Sequence, residues 1–245
     1  DIIIMTSRGL DHGDQHKAAV LDALGAEGDL GIGTLTSISA YRNSQIYSEI
    51  DVDAGAIGLI RIAPRSGTKS YQQELRLSSN GDGPLKWQFG GNYLRVTNTI
   101  DQLQRGLAFA GSGLLGQNIA GKVVTNSYAG FGEASYSITP TTHFTAGVRY
   151  THENRQIDAT NTTILLNGTA LAPALPPTPR LSYSEWTYRL SLRQDLSDDV
   201  NIYASVNRGF KAGLYTLQSP TNPPVQPQFI MAYEAGLKSE LFNRR

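Results

Sequence analysis

The sequence predicts an all-β protein: an antiparallel, up-and-down transmembrane β-barrel segment of about eight strands, with short periplasmic turns at one end and long extracellular loops at the other. Three observations lead there. Residues 128–154, YAGFGEASYSITPTTHFTAGVRYTHEN, alternate with a period of two on both sides of Pro140, which is strand patterning. Nowhere do about 18 apolar residues follow one another, so no transmembrane helix is expected, whereas a barrel strand needs to turn only alternate residues to lipid. The connections between candidate strands alternate strictly between long and short, so one end of the sheet is trimmed and the other decorated. Strand alternation is shared with soluble sandwiches, but those cluster loops at both ends, and the loop asymmetry therefore discriminates.

The hairpin at 128–154 sets the code for the rest. On its first arm Tyr128, Gly130, Gly132, Ala134, Tyr136 and Ile138 share one face, and Ser127, Ala129, Phe131, Glu133, Ser135 and Ser137 share the other. On its second arm Phe144, Ala146, Val148 and Tyr150 oppose Thr145, Gly147, Arg149 and Thr151. Pro140 cannot donate to a ladder, which places the reversal there. Each apolar face ends in aromatic rings, the position at which a lipid-facing strand keeps its interfacial anchors.

Taken in order, residues 1–28 read as a loop or partial strand at the N-terminal edge, with a short helix over 15–24 in DHGDQHKAAVLDALGAEG. Strands follow at 30–41, 70–78 and 85–100. The second sets Tyr71, Gln73, Leu75 and Leu77 against Gln72, Glu74 and Arg76, and the third sets Trp87, Phe89, Gly91 and Tyr93 against Gln88, Gly90 and Asn92. After the organising hairpin come a strand carrying Trp186, Tyr188, Leu190 and Leu192 on one face, another at 200–210, and a last at 229–241. The long connections are 42–69, 101–124 and 158–182, with a Pro-rich one at 219–228. The organisation expected is therefore 29–242 as barrel and 243–245 as the start of a truncated turn, the whole being an internal segment. Val148, Leu190, Ile202 and Leu237 are expected to face lipid, and Arg149, Arg189 and Glu234 to face inward.

Composition narrows the chemistry. Twenty-one basic and twenty-one acidic residues cancel, which gives no case for nucleic acid, and the absence of cysteine removes disulfides and thiolate metal sites. Asp11, His12, Asp14 and His16 are metal-ligand types at close spacing, but in a polar stretch they read as solvated side chains, so no metal or cofactor is expected. His143 and His152 lie at opposite ends of one strand with serines nearby and no nucleophile elbow, and no catalytic residues are expected. Trp87, Tyr93, Tyr128, Tyr150, Trp186 and Tyr188 read as interfacial anchors. Binding residues are expected in the long connections, where loops ride on a rigid scaffold, and Tyr47, Arg105, Phe109 and Tyr215 are the candidates there.

The ordered set SYQQELRLS at 70–78, GPLKWQFGG at 83–91, FGEASY at 131–136, GVRYT at 147–151, NRGFKAG at 207–213 and YEAGLKSEL at 233–241 resembles the barrel of TonB-dependent outer-membrane receptors. The resemblance implies part of a barrel of about 22 strands around an N-terminal plug. It also implies a bacterial outer-membrane location and import of a scarce solute, most often a ferric siderophore, with energy passed on by TonB through the plug. Outer-membrane lipid, TonB and a ferric siderophore or similar small solute are the partners implied. The sequence departs from the complete family in showing no plug, no TonB box and no terminal barrel strand ending in an aromatic residue. The alternative is a non-transporting structural or adhesive outer-membrane barrel with variable surface loops.

Overall fold

A computed structural model describes residues 2–11, 17–52 and 59–240. In chain order the elements are β1 (Ile2–Asp11), β2 (Lys17–Asp29), β3 (Gly33–Tyr47), β4 (Ile50–Asp51), β5 (Arg61–Ser79), β6 (Leu85–Arg105), α1 (Leu107–Ala110), β7 (Leu114–Thr139), β8 (Thr142–Leu165), β9 (Arg180–Ser197), β10 (Val200–Lys211) and β11 (Gln228–Ser239). All strands lie in one sheet. Each long strand pairs antiparallel with its neighbours in sequence, in the order β1-β2-β3-β5-β6-β7-β8-β9-β10-β11, with β4 attached to the end of β5. Among the described residues no ladder joins β1 to β11, so the sheet is an open up-and-down wall.

The eight expected strands are β3 and β5 to β11, and two more precede them. The short helix expected over 15–24 is replaced by β2, whose ladder to β3 runs from Lys17↔Ile46 to Asp29↔Thr34; residues 15 and 16 lie outside the described residues, as do the candidate ligands at 12–16. Lys, Ala and Leu in that stretch favour a helix only weakly, and an unbroken ladder to β3 outweighs that preference.

A second difference concerns strand length. β7 has 26 residues and β8 has 24, yet about 9–11 tilted residues span a bilayer. The upper halves of these strands therefore stand clear of lipid. Most of what read as long connections is strand among the described residues, and the second and third of them shrink to 106–113 and 166–179. The reason is physical: above the membrane both faces meet water, so nothing enforces apolar alternation, and the pattern fades although the ladder continues.

The two faces of the sheet are those expected. Val148, Leu190, Ile202 and Leu237 are exposed on the outward face, at 48%, 43%, 41% and 62%. Phe144, Leu190, Leu192, Ala204 and Val206 line an apolar hollow there. On the opposite face Arg189, Glu234, His143, Thr145 and Tyr203 line a polar groove. Two aromatic girdles bound the outward apolar band. In the upper one Tyr71 and Tyr93 lie 6.2 Å apart, Tyr93 and Tyr128 4.9 Å, and Tyr150 and Trp186 4.9 Å. In the lower one Trp87 stacks on Phe89, which lies a step nearer the midplane, at 5.3 Å, and Tyr136 pairs with Phe144 across the β7–β8 ladder.

Candidate functional site: the inner wall

The inner wall has a polar lower part set by strand register. Glu74, Asn92, Phe131 and Arg149 fall on the inward face because Glu74 pairs with Asn92, and Phe131 with Arg149. Arg149 donates to Asn92 Oδ1 at 2.9 Å and its guanidinium lies 5.8 Å from the Phe131 ring. Glu74 with Arg76 and Glu153 with Arg155 form local ion pairs, at 3.9 and 2.6 Å. Gly147 opposes Glu133 on one side and Arg189 on the other. A Cβ at Gly147 would sit 3.0 Å from a Glu133 carboxylate oxygen, so the missing side chain leaves room for that carboxylate to lie over β8.

Near the lower rim the structure assembles a constellation that residue spacing alone did not connect. Ser137 Oγ is 2.9 Å from His143 Nδ1, His143 Nε2 is 3.1 Å from Asp195 Oδ2, and Arg193 Nε is 3.1 Å from Asp195 Oδ1. In a hydrolytic triad the serine meets Nε2, the carboxylate holds Nδ1, and oxyanion donors stand beside the nucleophile. Here the ring is reversed and the carboxylate is already engaged by an arginine. The group ties the β7–β8 hairpin to β9.

The upper inner wall is covered from within by the segment 212–227, between β10 and β11. Tyr215 and Leu217 pack against Val123, Ile157 and Ala159, which the β7–β8 register brings to the inward side. Ala212 is buried, Pro220 is fully buried, and a bridge between Leu214 and Val225 closes the segment on itself. Beside this patch runs a chain of amides: Gln117 Nε2 donates to Gln104 Oε1 at 2.6 Å and Asn161 Nδ2 to Gln117 Oε1 at 3.1 Å. The Tyr215 hydroxyl is buried without a hydrogen-bond partner. Its phenol is raised above the usual tyrosine value, by burial first and by the nearby Tyr183 second.

This inward turn is possible because the β9–β10 ladder stops at Tyr188↔Arg208. Above that point β9 stays with β8 up to Arg180, and β10 stays with β11 up to Lys211. Arg208 spans the opening: one guanidinium nitrogen donates to the Trp186 carbonyl and another lies 3.1 Å from Glu185 Oε2, over the Phe229 ring at 5.2 Å.

The four candidate binding residues are not brought to one place. Tyr47, at the top of β3, lies under the Arg65 guanidinium at 5.4 Å, on the outward side by register. Arg105 ends β6, also at an outward position, opposite Arg61. Phe109 sits in α1, whose Ala108 N–H donates to the Leu59 carbonyl and so links the 106–113 turn to the 48–60 connection. Only Tyr215 lies on the inner wall. The inward residues Gln102, Ile119, Ile157 and Tyr183 were missed, because they sit in strand extensions that carry no alternation. Among the described residues no group of His, Cys, Asp or Glu could hold a metal ion.

The comparisons agree with this architecture. The sequence profile of the family described as TonB dependent receptor-like, beta-barrel, matches residues 6–245. No curated protein sequence matches the chain. Among solved structures, the ferric yersiniabactin uptake receptor FyuA from Yersinia pestis superposes with a TM-score of 0.75 at 16% identity, over 91% of this chain and 33% of that one. The siderophore receptor PiuA from Acinetobacter baumannii gives 0.64 at 14% identity, over 93% of this chain and 38% of that one. The ferric citrate transporter FecA in its unliganded form gives 0.60 at 16% identity, over 92% of this chain and 32% of that one. The chain thus spans about a third of the length of these structures. An open antiparallel wall with two aromatic girdles, a polar inner face and strands that rise far above the bilayer belongs, with this match, to the TonB-dependent receptor-like β-barrel family of bacterial outer-membrane proteins.

Proposed function

We propose that this chain forms part of an active outer-membrane transporter that imports a scarce solute, a ferric siderophore foremost, with energy transmitted from TonB. Proteins of this family are transporters and not enzymes, which accords with the reversed and arginine-bound His143 group. The observation that carries the reading is the upper inner wall. There a loop turns inward over an apolar patch flanked by hydrogen-bonding amides, above the membrane, where a solute arriving from outside would first meet the barrel. The uptake receptors among the structural neighbours favour a ferric siderophore, although the copper transporter OprC is similar in fold as well. Tyr215 is the candidate contact for the cargo, while Tyr47, Arg105 and Phe109 would serve at the rim.

The test uses the intact receptor that carries these residues, produced in a strain lacking its own siderophore receptors. Growth on chelated iron with a panel of siderophores should depend on TonB. Deleting residues 166–179 or 212–227 should abolish binding of the active siderophore while leaving a heat-modifiable barrel, since shortening surface connections changes loop-closure entropy little. Iron-limited growth that no siderophore supports would overturn the cargo. Binding that survives both deletions would move the site away from these segments.

A further inference from the structure

Between β9 and β10, above their ladder, the wall is closed by side chains rather than by backbone. The ladder ends at Tyr188↔Arg208, and beyond it Tyr183 and Glu185 fall inward by register while Arg208 and Phe210 fall outward. Even so, the Tyr183 and Phe210 rings stand 6.3 Å apart, and an Arg208 guanidinium nitrogen lies 3.1 Å from Glu185 Oε2. Residues from opposite faces meet there because no ladder separates them. Phe229, 5.5 Å from Phe210, carries the line of rings outward, one step above the Tyr188–Arg208 pair as Trp186 of the upper girdle is. On the lumen side Tyr183 abuts Gly213, where any Cβ would collide with its hydroxyl, and it neighbours Tyr215 of the inner loop.

Directly below the split the outward face is hollowed. Ala204 and Ala235 face each other across the β10–β11 ladder and form the floor, and Leu190, Leu192, Val206 and Tyr233 line the sides. Leu190 and Val206 pair one step beneath Tyr188 and Arg208, so this trough opens upward onto the split. An apolar path therefore runs from the inner patch under Tyr215, over the Tyr183, Phe210 and Phe229 rings, and down into a trough that faces hydrocarbon. Its sill is Arg208, whose guanidinium donates to the Trp186 carbonyl and leaves no bare acceptor where the path crosses the wall. The two ends differ in chemistry: the inner one offers amides and phenols, the outer one mainly alkyl and aromatic carbon. That pairing suits a molecule with a polar head and an aliphatic tail. A tail kept in a wet lumen would hold its apolar surface in water, and one led through the split escapes that cost.

We propose that the split is a side portal through which the aliphatic tail of an amphiphilic cargo leaves the lumen and lies in the trough, while its polar head rests on the inner wall. This rests on the importer reading above and narrows it to one class of solute, a chelate that carries an alkyl chain.

The portal is tested without TonB or iron. The intact receptor, carrying Tyr215→Cys as its single cysteine in phosphatidylcholine nanodiscs, is treated with N-dodecylmaleimide or N-ethylmaleimide. The ratio of the two labelling rates is compared with that for Gln104→Cys, on the inner wall of β6 and three strands from β9. The ratio should be about tenfold higher for Tyr215→Cys, whose tail-bearing reagent reaches it from lipid. Filling the trough with Ala204→Trp and Ala235→Trp should bring it down to the Gln104→Cys value. If that pair does not fold, Ala204→Leu with Ala235→Leu takes its place, and the comparison of the two cysteines stands by itself. In cells, the filled trough should lower uptake of the siderophore that supports growth by about tenfold. Equal ratios at the two cysteines, or a ratio indifferent to the filled trough, would overturn the portal. A lowered ratio with undiminished uptake would make the occupant a membrane lipid and overturn the cargo assignment. Growth supported by no siderophore would overturn the importer reading beneath it, and the labelling ratio tells that failure apart from failure of the portal.

Discussion

Gly132 offers the sharpest test of which face meets lipid. It lies on the outward side of β7, four residues below Tyr128 in the upper girdle and four above Tyr136 in the lower one. At about 3.3 Å per residue and a tilt of about 40°, that places it about 10 Å from either girdle, at the middle of the apolar band. A Cβ there would have its nearest neighbours at 3.8 Å, the Gln88 carbonyl and Phe89 Cβ, so a side chain enters without displacing anything. Gly132→Leu should therefore stabilise the barrel by about 0.5–1 kcal/mol, through lost chain entropy and strand preference. Gly132→Arg should cost about 2–4 kcal/mol, the penalty for arginine at the bilayer midplane. The two variants differ only in what they present to hydrocarbon, and the gap between them, about 2.5–5 kcal/mol, is the quantity to measure. Urea titration of the intact receptor folding into phosphatidylcholine vesicles gives it. Ser135→Arg, three residues on and facing the lumen beside Thr145, is the control and should cost less than about 1 kcal/mol. Equal stability for Gly132→Leu and Gly132→Arg, together with a large loss for Ser135→Arg, would refute the assignment of faces.

Two further outcomes follow from the inner loop and the open edges. The Tyr215 phenol is raised by burial and by Tyr183, so the docked state of 212–227 keeps its full stability below the ordinary tyrosine value of 10.0 and loses it as pH rises beyond. Hydrogen-exchange protection of that segment, its rate relative to the intrinsic base-catalysed rate, should fall above about pH 10, and Tyr215→Phe should remove that fall while tightening docking by about 1 kcal/mol, because the hydroxyl is buried without a partner. Exchange that is already fast at neutral pH would show that the segment is not docked. Residues 1–245 produced alone and refolded into detergent should give no compact, heat-modifiable band, since β1 and β11 are unpaired edges whose backbone groups cost several kcal/mol each in hydrocarbon. A sharp protease-resistant band would show that the edges close.

How much of this was legible in the residues depended on where lipid lies. Between the girdles every position must choose lipid or lumen, so Val148 and Arg149, or Leu190 and Arg189, announce their sides by type alone. Above the upper girdle that pressure ends. Val123, Ile157 and Ala159 look like scattered apolar residues in a polar run until register shows them on one inner patch. The helix expected over 15–24 gives way for a related reason: Lys, Ala and Leu in that stretch suit a helix locally, and only the ladder to β3 makes them strand. Tyr215 was singled out for being aromatic in a connection. What the sequence could not convey was that its connection turns inward, because that depends on the β9–β10 ladder ending at Arg208.

The end of that ladder is also a depth mark. Above Tyr188, the side of β9 that would face β10 keeps its N–H and C=O groups without a ladder partner, except where Arg208 reaches Trp186. Water can satisfy such groups and hydrocarbon cannot. The slit can therefore open only above the level at which the acyl chains stop, so on this side of the barrel the bilayer surface is pinned near the Tyr188–Arg208 pair. Any displacement of the receptor that sank this pair below the headgroups would bring bare backbone into oil. The split strand pair thus keeps the receptor from sinking deeper into the membrane on this side.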